Sequence, residues 1–77
     1  MKIAQNLKTL RTKHGYTQTD IANMLNTTYH VYARYELGRR DIPVKHLIKL
    51  ADIYGVSLDF LCGRDEQHNQ QDGFSAG

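Results

Sequence analysis

Cysteine occurs once in the 77-residue sequence, at Cys62, so no internal disulfide can form and no paired-cysteine zinc or redox motif exists. A small, buried apolar role suits such a lone thiol. Long apolar runs are missing too. The longest charge-free stretch in residues 1–63 runs from Ile21 to Ala33 and contains Asn, Thr and His. That excludes a transmembrane span, and no signal-peptide pattern opens the chain. A soluble, cytoplasmic protein with no membrane partner is expected. His14, His30, His46 and His68 never fall at the i, i+4 spacing of a helical metal site, and there is no Gly-rich phosphate loop. Asp20, Asp52 and Asp59 are scattered over helix ends and faces, so no carboxylate pair is suggested. The residues point to no catalysis, no metal and no cofactor.

What is present fits one small domain, because a chain of this length supports a single hydrophobic core. The formal net charge of +2 conceals an asymmetry. Residues 1–63 carry nine basic and five acidic side chains, a net of +4, whereas Arg64, Asp65, Glu66 and Asp72 make the remainder −2. The globular part is moderately basic, which favours a polyanionic partner, although Lys-rich helix faces also serve solubility alone.

Periodicity predicts five helices and no strand. Ile3, Leu7 and Leu10 form the apolar stripe of a first helix that ends near His14-Gly15. Thr17 reads as the N-cap of a second helix over about 18–25, with Asp20 in its first turn and Ile21, Ala22 and Leu25 on its apolar face. Asn26 tolerates positive φ, and Thr27-Thr28 offers a new N-cap for a third helix that ends at Gly38. After an exposed loop, Arg39 to Ile42, Pro43 suits the first position of a fourth helix over about 43–54, with Val44, Leu47, Ile48 and Ala51 on one face. Ser57 caps a last short turn through Cys62, before Gly63. From residue 64 onward the composition is charge, Gln, Asn, Gly and Ser with one Phe, Phe74, which reads as a flexible tail over 64–77.

Two short helices joined by a turn of three or four residues make a helix-turn-helix, here about 18–37 within a domain over 1–63, with a recognition helix at about 28–37. Ala22 is small where the third helix crosses the second, and Tyr32 and Tyr35 turn back into the core. On periodicity alone, any small helical bundle would need similar short helices and polar turns.

An ordered set of residues narrows this. Thr17-Gln18-x-x-Ile21-Ala22, then Thr28-x-x-x-Tyr32-x-x-Tyr35-Glu36-x-Gly38-x-Arg40-x-Ile42-Pro43, then Leu47-x-x-Leu50-Ala51 and Gly55-Val56-Ser57-Leu58-Asp59-x-Leu61 are all present. Over about residues 3–63 the chain resembles the phage-repressor and Cro-type helix-turn-helix regulators, also called the xenobiotic-response-element family. The resemblance implies an all-α, lambda-repressor-like bundle of five helices that binds operator DNA as a homodimer, with the third helix in the major groove. Asn26 stands where the family usually has Gly, Tyr32 where it has Ile or Val, Ala33 for a frequent Ser and Cys62 for Leu. The Tyr32 hydroxyl must either find a buried partner or reach the DNA-facing edge.

Thr28, Tyr29 and His30 form the first turn of the third helix, which in this geometry meets base edges and nearby phosphates; Tyr29 could instead pack on the protein surface. Arg34, on the groove-facing side, can bond O6 and N7 of guanine, with a phosphate contact as the rival role. The resemblance makes Gln18 a phosphate contact that also braces the recognition helix, and Arg39 and Arg40 grips on the sugar-phosphate backbone. As alternatives, Gln18 is a surface amide and the two arginines a solvated pair. Arg11 and Glu36 match a family ion pair of structural role, and Phe60, on a helix too short to bury it, matches the family's dimer contact. The expected function is sequence-specific transcriptional regulation, most often repression. The alternative is an antitoxin or adaptor-type interaction module on the same fold, with a protein partner engaged through the tail.

Overall fold

The computed structural model describes residues 2–64 and arranges them as α1 (Ile3–Lys13), α2 (Gln18–Met24), α3 (Tyr29–Glu36), α4 (Val44–Tyr54) and α5 (Leu58–Leu61). The predicted all-α architecture is the observed one, with no strand among the described residues. Arg64 lies at their edge, its N–H donating to Asp59 O at 2.8 Å; the rest of the expected tail, Phe74 included, falls outside them.

Capping chemistry explains the helix starts. The Thr17 hydroxyl accepts from Asp20 N–H at 3.0 Å while the Asp20 carboxylate accepts from Thr17 N–H at 2.9 Å, a reciprocal capping box that satisfies two otherwise orphaned donors. Thr28 and Ser57 cap α3 and α5 one way only, accepting from Val31 N–H and Phe60 N–H. Asn26, at φ 58°, is the non-glycine residue with positive φ among those described, and its turn is closed by Thr27 N–H donating to Ala22 O at 2.9 Å. This left-handed residue lets α3 restart at once at an angle to α2. Pro43 stands one position outside its expected place. It is the N-cap of α4, with φ −63° and ψ 149°, rather than the first helical residue.

The core is a single cluster. Leu7 and Leu10 of α1, Ile21, Ala22 and Leu25 around α2, Tyr32 and Tyr35 of α3, Leu47, Leu50, Ala51 and Tyr54 of α4, and Leu61 of α5 are all buried. Packing runs α2 on α3, α1 on α3 and α5, and α4 on α5. Ile3 and Cys62 are half-buried against this cluster, Cys62 less enclosed than the buried apolar role expected of it. The Asn6 amide donates to Phe60 O at 3.2 Å and Leu61 O at 3.1 Å, pinning the end of α5 onto α1.

The α4 face needs correction. Val44 and Ile48 were expected in the core with Leu47 and Ala51, yet they are 66% and 47% exposed. The buried row is Leu47, Leu50, Ala51 and Tyr54, which is also an i, i+3, i+4, i+7 pattern. The two stripes share Leu47 and Ala51 and differ by rotation of the helix. The row that includes Tyr54, with its larger apolar ring, is the one buried.

Candidate nucleic-acid interface

A buried carboxylate organises the helix-turn-helix from behind. Glu36, the last residue of α3, accepts from Arg11 Nε at 2.6 Å and Nη2 at 3.2 Å, from the Tyr32 hydroxyl at 2.7 Å and from Gln18 Nε2 at 3.0 Å. Arg11 Nη1 also donates to Tyr16 O at 2.9 Å, in the loop between α1 and α2. One carboxylate thereby joins α1, the start of α2 and α3. The expected Arg11–Glu36 ion pair is present in bidentate form, with side-chain exposures of 12% and 3%. The Tyr32 hydroxyl takes the buried option, bonding Glu36 one turn on. Burial works against the Glu36 charge, but the hydrogen bonds from Arg11, Tyr32 and Gln18 outweigh it and hold the carboxyl below the usual carboxylate range. The Glu36 hydrogen bond raises Arg11, and burial, then Glu36, pushes the Tyr32 phenol up.

The opposite side of α3 is open. Tyr29, His30 and Arg34 are exposed, while Tyr32 and Tyr35 on the other face are buried. Tyr29 does not pack into the body of the protein. It is 47% exposed, and its ring stands edge-on to His30 with centroids 5.4 Å apart. His30 and Arg34 share a stripe at i, i+4. Thr28 is exposed, its oxygen engaged as the α3 cap and its hydroxyl proton left for an outside acceptor. Beyond α3, Gly38 takes φ 73° and Arg39 N–H donates to Arg34 O at 3.0 Å. That closure holds Arg39 and Arg40 at the end of the helix, both exposed. Among the described residues no hydrogen bond or ion pair engages the side chains of Arg34, Arg39 or Arg40.

Gln18 stands apart from this open row. Half-buried, it spends its amide nitrogen on Glu36, so the bracing part of its expected role is visible while its carbonyl oxygen has no partner among the described residues. Phe60 is exposed on α5 at 37%, next to Leu58 at 40%. The fourfold use of Glu36 was partly legible: the Arg11 pairing and the bracing by Gln18 came from resemblance, while the Tyr32–Glu36 spacing of four residues was the signal for the bond from Tyr32. Lys45, His46 and Lys49 on α4 carried no motif and were overlooked. They line one cleft with Asn26.

A family model described as helix-turn-helix matches residues 7–61. The chain is 41% identical over 66 residues to the HTH-type transcriptional regulator ImmR of Bacillus subtilis (strain 168), covering 86% of this chain and 52% of that protein. It is 44% identical over 57 residues to the SPbeta prophage-derived uncharacterized HTH-type transcriptional regulator YonR of the same organism, covering 74% and 53%. It is also 34% identical over 64 residues to the cryptic phage CTXphi transcriptional repressor RstR of Vibrio cholerae serotype O1 (strain ATCC 39315 / El Tor Inaba N16961), covering 83% and 57%. Among solved structures, a transcriptional regulator from Listeria innocua superposes with a TM-score of 0.74 at 34% identity, covering 77% of this chain and 55% of that one. The chain spans about half the length of the curated relatives it matches.

Proposed function

The chain belongs to the helix-turn-helix family, and from that premise we propose that it is a sequence-specific, DNA-binding transcriptional regulator, acting as a repressor on a pseudo-palindromic operator. The observation that carries this reading is the exposed row of Tyr29, His30 and Arg34 on α3 with its cap Thr28, flanked by Arg39 and Arg40 and braced from behind by Glu36. Tyr29, His30 and Arg34 read base edges in the major groove, and Thr28 joins them at the helix start. Gln18, through its free carbonyl or a repositioned amide, and the two loop arginines hold the backbone, adding affinity without sequence information. No helix among the described residues is long and apolar enough to cross a membrane, and a cytoplasmic location, where the DNA lies, accords with the role.

A single short recognition helix reads few base pairs, so the operator is bound by a homodimer on half-sites about 34 Å apart. Phe60, exposed with Leu58 on α5, is the contact we assign to that dimer. Selection of bound sequences from random duplexes, followed by affinity measurements across a salt series, tests the reading. The expected result is an inverted repeat, bound with a strong salt dependence. Phe60→Glu should shift the protein toward monomer by sedimentation and weaken operator binding. Absence of any salt-dependent duplex binding by the full chain would remove the regulator reading and favour a protein-interaction module.

A further inference from the structure

Between the C-terminal end of α2 and the first half of α4 lies an open cleft of about 300 Å³, lined by Met24, Leu25, Asn26, Lys45, His46 and Lys49. Among the described residues its lining has no acidic side chain. Lys45 and Lys49 are exposed one turn apart on α4, and among the described residues neither is engaged by an ion pair or hydrogen bond. Two like charges at i, i+4 disfavour a helix slightly, and an anion seated between them would offset that repulsion. Across the cleft stands Asn26, held at φ 58°, its side-chain amide unbonded among the described residues. The cleft adjoins the recognition element: Asn26 precedes the Thr28 cap of α3 by two residues, and His46 Nδ1 lies 3.4 Å from the hydroxyl of Tyr35 on α3.

We propose that this cleft seats a phosphate of the duplex backbone beside the groove that α3 enters, with Lys45 and Lys49 supplying charge and the Asn26 amide a directed hydrogen bond. The inference rests on the DNA-binding reading and adds a second anchorage on α4, away from the Arg39-Arg40 loop. Met24, 38% exposed, offers an apolar wall to the adjoining sugar. Two cationic anchorages on different elements constrain the angle at which α3 lies in the groove more than the loop does alone.

The test compares the full chain with Lys45→Gln/Lys49→Gln and with Lys8→Gln/Lys13→Gln, which removes the same charge from α1. Affinity for a selected operator and for a random duplex is measured from 50 to 200 mM salt, with circular dichroism to confirm folding. Loss of one phosphate contact should make the slope of log affinity against log salt shallower by about 0.9, roughly eightfold weaker binding at 0.1 M salt, by the same factor on both duplexes. The α1 pair should change the slope by less than half as much. Asn26→Gly, which keeps the left-handed turn, should weaken binding with the slope unaltered. An unchanged slope for the α4 pair, or an equal change for both pairs, overturns the seat while leaving the DNA-binding reading intact. Inorganic phosphate titrated into the free chain, followed by amide resonances of Asn26, Lys45 and Lys49, covers the other source. Submillimolar saturation together with an unchanged salt slope would assign the cleft to a free phosphate and overturn the duplex assignment. A parent chain that binds no duplex sinks both readings.

Discussion

Glu36→Gln is the sharpest perturbation available, because it alters one carboxylate oxygen and leaves the shape intact. In the parent, four hydrogen bonds converge on a side chain only 3% exposed. The amide cannot accept at its nitrogen, so Arg11 loses its counter-charge and at least one buried donor faces another donor. Removing one partner of a buried pair costs about 3–5 kcal/mol. Arg11 keeps its bond to Tyr16 O and some contact with water, which puts the loss near the lower end, about 3 kcal/mol. Total stability for a domain of this size is about 4–12 kcal/mol. With 1 kcal/mol moving the midpoint by about 4–8 °C, the thermal midpoint should fall by about 12–24 °C. Thermal and urea unfolding followed by circular dichroism at neutral pH measure the midpoint shift and the free-energy loss, and the difference should persist in 1 M salt because buried charges are poorly screened. Arg11→Met/Glu36→Leu should cost less than Glu36→Gln alone, since replacing both partners strands no charge. A loss under about 1 kcal/mol, the worth of an exposed pair, would refute the role of Glu36 as a buried hub. There is also an acid signature. The folded-state carboxyl is lowered, so its contribution is complete above the unfolded-state value and is lost as pH falls through the folded one; Glu36→Gln should flatten that part of the acid profile.

Arg40→Ala should weaken binding to all duplexes alike and make the salt slope shallower by about 1. Arg34→Ala should instead cost about 1–3 kcal/mol on the operator and relax preference at one base pair, and equal losses on operator and random DNA would reassign Arg34 to the backbone. Thr17→Ala breaks the capping box of α2 and should lower stability by about 1 kcal/mol in urea melts, without altering the operator sequence selected. Burial, with Lys45 beside it, lowers His46 from its ordinary value, so the folded chain takes up that proton less readily than the unfolded one. Its contribution is present above about pH 6.5 and declines as pH falls through the folded value. His46→Gln should therefore show a flatter stability profile below pH 6.5 than the parent, and identical profiles would show that His46 is not desolvated.

The helices and their order were legible because their ends are written in local chemistry. Thr17, Thr28 and Ser57 cap within three residues of themselves, and Asn26 and Gly38 adopt φ values that few other residues tolerate. The exposed turn of α3 was legible for the same reason: once Tyr32 and Tyr35 face inward, helical geometry turns His30 and Arg34 outward. What resisted the sequence was every choice between equivalent local solutions. Val44 with Ile48 and Leu50 with Tyr54 complete equally good stripes around Leu47 and Ala51, and only the neighbouring helices select the second. The Tyr32 hydroxyl had two destinations, and the carboxylate of Glu36, already held by Arg11 and Gln18, captured it. Lys45 and Lys49 signal nothing along the chain, because an unpaired lysine differs from a paired one only by what lies across space from it. Capping and turns depend on residues within one helical turn and so belong to the sequence alone. Which face is buried, where a hydroxyl finds its acceptor and which cations share a cleft depend on segments brought together by packing, and the tertiary structure alone decides them.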